Sequence, residues 1–248
     1  MGKISDFRIL RLPETDSTNT RLKALMQDNQ AAHGCVVITD FQTRGKGYAG
    51  NHWESEPGKN LLLSVLLGFD YFPAESQFVI SQAVSLSLLD VLAGYTSDLS
   101  VKWPNDLYHQ NKKIAGILIE NQVQGARLTS SLVGIGINLN QEKFYSNAPN
   151  PISLKQLTGM TIDRELFLSQ WLESLTEQYD RLEAGELQPV REAYLKHLYR
   201  INEWHPMRIA NREEILSITG VNAYGMLQLM DQKGNLLEAG FKEIAFLD

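Results

Sequence analysis

Lys102-Trp103-Pro104-Asn105-Asp106, followed by Lys113-Ile114-Ala115-Gly116-Ile117-Leu118-Ile119-Glu120, decides how the rest of the chain is read. The first segment gathers a cation, an indole, an amide and a carboxylate around a proline, whose fixed φ holds a turn rigid. An ordinary strand-end turn over a buried tryptophan gives the same letters, because turns favour Pro, Asn and Asp. The second segment reads as a buried strand entered by a lysine. Gly116 in such a strand lets a ligand approach the backbone. A lone strand lysine more often carries its ammonium out to solvent.

Working outward, Leu99 to Trp103 is the strand before the turn. Leu128 to Leu139 is a further strand, with a turn near Gln124-Gly125 before it. It contains Gly134-Ile135-Gly136-Ile137-Asn138, small residues followed by an amide, a pattern that a β-bulge also produces. Upstream, Gln77 to Leu92 has helical spacing, and Leu61 to Leu67 is an apolar run suited to a strand buried on both faces. Cys35 to Phe41 and Arg8 to Leu12 read as strands. Between those two, Asp16-Ser17-Thr18-Asn19 precedes Leu22, Leu25 and Met26, a capped helix start. A hydroxyl there, Ser17, ordinarily serves as the N-cap.

Downstream, Asn147 to Pro151 reads as a loop, and Arg164 to Leu182 and Pro189 to Tyr199 as amphipathic helices. From Pro206 the pattern changes to short alternating segments, Met207–Ile209, Glu214–Val221, Met226–Met230 and Leu236–Leu237, with turns at Asn211, Asn222–Gly225 and Lys233–Asn235. That predicts a small β-barrel. The expected domains are residues 1–200 and 201–248.

Gly45-Lys46-Gly47-Tyr48-Ala49-Gly50 is literally GxGxxG after a strand, with Asp70 downstream. A dinucleotide fingerprint must open a helix, and Asn51-His52-Trp53-Glu54-Ser55-Glu56-Pro57-Gly58 cannot. Gly58-Lys59-Asn60 is no P-loop either. What remains is a long polar loop, Gln42 to Asn60, carrying Arg44, Lys46 and Lys59. It reads as a lid that orders over an anionic ligand, or as a plain surface loop.

Composition narrows the classes. The 248 residues are 43% hydrophobic and 21% charged, so a sizeable core is available. A net charge of −6 argues against a dedicated nucleic-acid binder. The single cysteine, Cys35, allows no internal disulfide and fits a reducing compartment. A buried strand thiol makes a poor nucleophile. The five histidines show no metal-ligand spacing. With charges at Lys3, Asp6, Arg8 and Arg11 and no apolar stretch after Met1, no secretory leader is expected, and Asp6 stands where a myristoylation signal wants Ser or Thr. The longest apolar run, Leu61 to Phe69, is too short for a bilayer. The expectation is a cytoplasmic protein with no membrane partner.

The combination of Ser17-Thr18-Asn19, Gln42 with the Gly45–Gly50 loop and Trp53, Lys102 to Asp106, Lys113 to Gly116, and Gly134 to Asn138 resembles the biotin protein ligases in order and approximate spacing. KWPND followed by KxAG is the most specific part. The resemblance implies an α+β fold: a mixed sheet backed by helices forms the catalytic, biotin- and ATP-binding domain, and an SH3-like barrel follows. It implies that biotin and Mg-ATP give biotinyl-AMP, and that a lysine of a biotin carboxyl carrier domain then takes the biotin. It carries Lys113 and Lys46 over as catalytic. Ser17, Thr18, Asn19, Gln42, Gly45, Lys46, Lys113, Gly116, Gly134 and Ile135 are carried over to biotin. Lys46, Gly47, Tyr48, Trp53, Asn105, Lys113 and Asn138 are carried over to the nucleotide. Magnesium comes with ATP, and no residue is carried over as a metal ligand.

Two departures stand out. Lys46 and Tyr48 occupy loop positions where relatives often carry arginine, and lysine lacks the bidentate fork. Looser retention of biotinyl-AMP is therefore expected. Some relatives begin with a DNA-binding helix-turn-helix and repress transcription. Here Ser17 already belongs to the site, so no DNA partner is expected. A lipoate or octanoate ligase and a non-catalytic biotin-binding protein are the rival readings. The chain is expected to be a monomer or a sheet-edge homodimer.

Overall fold

A computed structural model describes residues 7–146 and 150–247. The start of the chain, with Lys3 and Asp6, lies outside the described residues, as do positions 147–149 of the expected 147–151 loop and Asp248. The strands are β1 (Arg8–Thr15), β2 (Cys35–Gln42), β3 (Leu61–Pro73), β4 (Leu99–Lys102), β5 (Asp106–His109), β6 (Lys112–Gln124) and β7 (Arg127–Ile137) in a first group. A second group holds β8 (Trp204–Ile209), β9 (Arg212–Val221), β10 (Leu227–Asp231), β11 (Leu236–Ala239) and β12 (Ile244–Phe246). The helices are α1 (Thr18–Gln27), α2 (Phe78–Leu92), α3 (Leu154–Thr158), α4 (Arg164–Glu183) and α5 (Leu187–Lys196).

The first group forms one sheet in the order β1-β2-β3-β7-β6-β5-β4. β1 and β2 run parallel and the remaining pairs antiparallel, so the sheet is mixed as expected. β3 lies centrally and its first nine residues are all buried, which explains why the sequence there is a continuous apolar run.

The two faces of this sheet are unequal. Ile38, Leu63, Val65, Val133, Ile135 and Ile117 face the main core with α2, α4 and α5. α2 is buried nearly all round because it is covered on one side by the sheet and on the other by helices. Trp171 of α4 donates to Ser87 Oγ on α2 at 3.0 Å, giving the buried indole its partner. The opposite face carries α1, whose Leu22 and Leu25 pack on Cys35, Val37, Leu66 and Leu132.

The second group is an antiparallel sheet in the order β11-β10-β9-β8-β12. It is consistent with the expected SH3-like module, although no pairing of its outer strands β11 and β12 occurs among the described residues. Its inner residues Met207, Leu216, Ile218, Leu227 and Leu229 continue the main core. Gly225, at φ +86°, lies so close to Phe78 that a Cβ would come within 2.5 Å of the ring. Lys102 sits among the rings of Tyr108, Tyr199 and Phe246, at 4.8–5.8 Å, and helps join β12 to the first sheet.

β5, α3 and β12 have no counterpart in the sequence reading. The first and last have only four and three residues. α3 is one short turn, marked by a capping box between Ser153 and Gln156.

Candidate functional site

The sheet register places the small residues in two rows on the face that α1 only partly covers. Thr39, Leu62, Gly136 and Gly116 lie side by side on four strands, and Val37, Ser64, Gly134 and Leu118 form the next row. Gly134 and Gly136 are two residues apart, about 7 Å along the strand. The three glycines remove side chains from one patch of the sheet and leave a floor.

One end of the floor carries a cluster of neutral, buried side chains. Ser17, Thr18 and Asn19 open α1, and all three are nearly inaccessible. Ser17 holds the N-cap position, yet its hydroxyl makes no capping bond. The Thr18 amide and hydroxyl both donate to Gln42 Oε1, at 2.8 and 3.2 Å. Ser64 Oγ lies 2.7 Å from Thr18 Oγ1 and 2.5 Å from Asn19 Oδ1, with one proton to give to either. Asn19 fills the space above Gly134 so fully that a Cβ there would stand 1.9 Å from Asn19 Oδ1. Its amide nitrogen reaches Glu120 at 3.5 Å, and Lys23 closes that carboxylate at 2.8 Å. Burial pushes the Glu120 carboxyl up, but Lys23, Asn19 and the Lys46 charge outweigh it and hold the group below the usual range.

The other end is ionic. Lys113 Nζ pairs with Asp106 Oδ2 at 2.5 Å and lies 5.6 Å from the Trp53 ring. The indole rests directly on the floor: a Cβ at Gly136 would come within 2.4 Å of it, and one at Gly116 within 2.8 Å. Trp53 Nε1 and Asn138 Oδ1 are buried without a hydrogen-bond partner. Buried polar atoms without partners are costly, so both point to a group that this end of the site receives.

The loop above the floor is folded back on itself. Trp53 N donates to Gly45 O at 3.0 Å, Gly47 N donates to Asn51 O at 2.7 Å, and Lys46 bridges His52. A Cβ at Gly45 would meet Trp53 O at 2.5 Å, so the hairpin needs glycine there. At the loop's base, Glu54 accepts the amides of Tyr145 and Ser146, each at 2.8 Å.

The structure thus brings Ser17, Thr18, Asn19, Gln42, Gly45, Gly134, Gly116, Trp53, Lys113 and Asn138 to one floor. It does not bring Ile135 there by its side chain, which points through the sheet into the main core. Asn105 is tied to Ser81 Oγ of α2 at 2.9 Å. Tyr48 lies out at the loop tip against Phe241. The buried Tyr194 donates to Pro104 O at 2.9 Å and so anchors the turn that carries Asp106. The Trp103–Pro104 peptide in that turn is cis. Cys35 is buried, and burial pushes its thiol up, so it stays protonated and unreactive.

Ser64, Asp106 as partner of Lys113, and Gly136 under Trp53 carry no site assignment from sequence. A serine interrupting an apolar strand was the available signal for Ser64.

Neutral buried side chains and a lysine-centred end thus share one glycine floor under a glycine-rich loop. The profile of the biotin/lipoate A/B protein ligase family matches residues 12–138. The bifunctional ligase/repressor BirA of Salmonella typhimurium is 30% identical over 90% of this chain and 69% of its own length. The biotin–[acetyl-CoA-carboxylase] ligase of Paracoccus denitrificans is 28% identical over 92% of this chain and 93% of its own. The biotin protein ligase of Aquifex aeolicus, solved with biotin and ATP, shares the fold with a TM-score of 0.79, at 24% identity over 97% of this chain and 98% of that one. The chain belongs to the biotin/lipoate A/B protein ligase family and is a ligase. No helix among the described residues is long and apolar enough to cross a membrane.

Proposed function

We propose that the chain is a cytoplasmic biotin protein ligase that joins biotin to AMP and then passes it to a lysine of a biotin carboxyl carrier domain, such as that of acetyl-CoA carboxylase. Residues 1–200 form the catalytic part and 201–248 the appended module. The observation that carries the reading is the shared glycine floor, with uncharged hydrogen-bonding groups at one end and the Lys113 ammonium at the other.

In the first step a biotin carboxylate oxygen attacks the α-phosphorus of ATP. The bond from that phosphorus to the bridging oxygen breaks, and pyrophosphate leaves. Two anions must meet, so cations must neutralise the charge that develops at phosphorus. Lys113 is poised at the floor, with Asp106 orienting its ammonium. Lys46 comes from the lid. Ser17, Thr18 and Gln42 suit a neutral ureido ring, and the unpartnered atoms of Trp53 and Asn138 suit the incoming nucleotide.

In the second step the neutral amine of the carrier lysine attacks the acyl carbon. The bond from the acyl carbon to the bridging oxygen of the mixed anhydride breaks, AMP leaves with that oxygen, and the amine proton passes to solvent. Among the described residues no three His, Cys, Asp or Glu side chains converge. Magnesium enters with ATP as part of the Mg-ATP substrate.

The test is pyrophosphate release with Mg-ATP, comparing biotin, lipoate and octanoate, followed by mass spectrometry of an added carrier domain. Biotin-dependent release and a biotinylated carrier lysine are expected. Release only with lipoate or octanoate would move the chain to the other branch of the family. Binding of biotin without release would make it a binding module.

A further inference from the structure

The tip of the glycine loop is held from outside its own domain. Tyr48, half exposed, meets Phe241 edge-on, with centroids 4.3 Å apart at 85°. Phe241 in turn lies 5.6 Å from Trp103, whose Nε1 donates to Gly225 O at 3.0 Å. Lys242 Nζ stands 5.7 Å from the centre of the Tyr48 ring. One residue of the C-terminal sheet's last turn therefore bridges the loop tip and the proline turn of the catalytic sheet.

The turn itself favours this purpose over its own comfort. Gly240 O accepts from Glu243 N at 3.0 Å, and Glu243 Oε2 accepts from Gly240 N at 2.6 Å. Lys242, the third residue of the four, has φ +77°. Glycine takes that conformation freely and lysine does not. Strain of this kind persists where the surroundings use the residue, and here its side chain reaches the loop tip.

We propose that Phe241 and Lys242 are positioning residues that clasp Tyr48 and so hold the glycine lid closed over the floor. Tyr48 stands where relatives often carry arginine. The ring supplies an aromatic contact with the C-terminal module. Closure is thereby coupled to that module, and the clasp sets how long the acyl-adenylate stays bound. The last statement rests on the ligase reading; the closure of the lid does not.

The experiment is trypsin cleavage after Arg44 and Lys46 in the ligand-free full-length chain, with fragments read by mass spectrometry, because cleavage tracks the open population. Phe241→Ala is expected to be cut about three- to tenfold faster, the range for one aromatic pair, and Phe241→Tyr to restore protection. Lys242→Gly separates the clasp from mere stability: it relieves the turn and so holds or raises Tm, yet the lid should be cut faster. Wild-type cleavage rates in both Phe241→Ala and Lys242→Gly would overturn the clasp. If biotin-dependent pyrophosphate release failed while the variants opened the lid, the ligase reading would fall and the clasp would stand.

Discussion

The two ends of the glycine floor are built on opposite principles. Around Gly134 buried side chains are already joined, Gln42 to Thr18, Thr18 to Ser64 and Ser64 to Asn19, and Asn19 reaches the partly exposed Glu120. Around Gly136 the site is unfinished, with Trp53 Nε1 and Asn138 Oδ1 lacking partners and an ion pair, Lys113–Asp106, less than a third exposed. On the ligase reading proposed above, a preformed neutral network would fix which acid enters, because leaving any of its buried groups unmatched is costly. An ionic end that is completed by the ligand places its electrostatic effect where charge develops. The proposed reading thus assigns specificity and rate to different ends of one surface.

Substitutions at the two ends should separate these roles. The largest effect is expected from Lys113→Gln, which should slow adenylate formation about 1000-fold while leaving biotin binding nearly intact, as single-turnover rates and calorimetry would show. Loss of binding instead of rate would erase the division. Gly134→Ala must displace Asn19, since the new Cβ would fall 1.9 Å from its Oδ1. It should weaken biotin binding about 100-fold with a smaller change in the rate at saturation. Ser64→Ala removes one bond from the neutral network and should cost about five- to tenfold in biotin affinity; an unchanged Kd would show that the network is not preorganised around Ser64.

Smaller effects sharpen the lid end. Lys46→Arg should slow escape of bound biotinyl-AMP by a few-fold, because the fork can grip phosphate twice, and equal escape rates would remove that argument. Glu54 gives a pH signature. Burial pushes its carboxyl up, but hydrogen bonds from Ser146 and Tyr145 outweigh burial and hold it below the usual range. A lowered native value means that the contribution is complete above the unfolded-state value and is lost as pH falls through the native one. The protection of the Tyr145 and Ser146 amides, measured relative to their intrinsic exchange rates, should therefore hold at neutral pH and fall only in acid, below ordinary glutamate titration. Loss of that relative protection near neutrality would contradict the anchoring.

The same division explains what could be read from sequence. The floor was legible because glycine inside an apolar strand is an anomaly, at Gly116 and Gly134, and because the proline turn concentrates unlike groups. The long elements were legible from periodicity, as in α2 and α4. Ile135 alternates with the glycines, so its side chain faces the other layer, and only its backbone, the contact that the resemblance implied, lies along the floor. Ser17 looked like a helix cap, yet its hydroxyl is left uncommitted at the cap position. The Phe241–Tyr48 contact was beyond reach, because nothing local ties residues so far apart to one another. Short pieces such as β5 and β12 carry too few residues to show a period, whereas α3 did carry its Ser153–Gln156 cap in plain letters.

The most direct test of the account follows the oxygen atoms. Biotin labelled with heavy oxygen in its carboxylate would be turned over with Mg-ATP and a carrier domain. If the carboxylate attacks the α-phosphorus, one labelled oxygen should appear in the AMP released, and none in pyrophosphate. Biotinylated carrier formed with unlabelled AMP would contradict attack by the biotin carboxylate and, with it, the role assigned to Lys113 on the glycine floor.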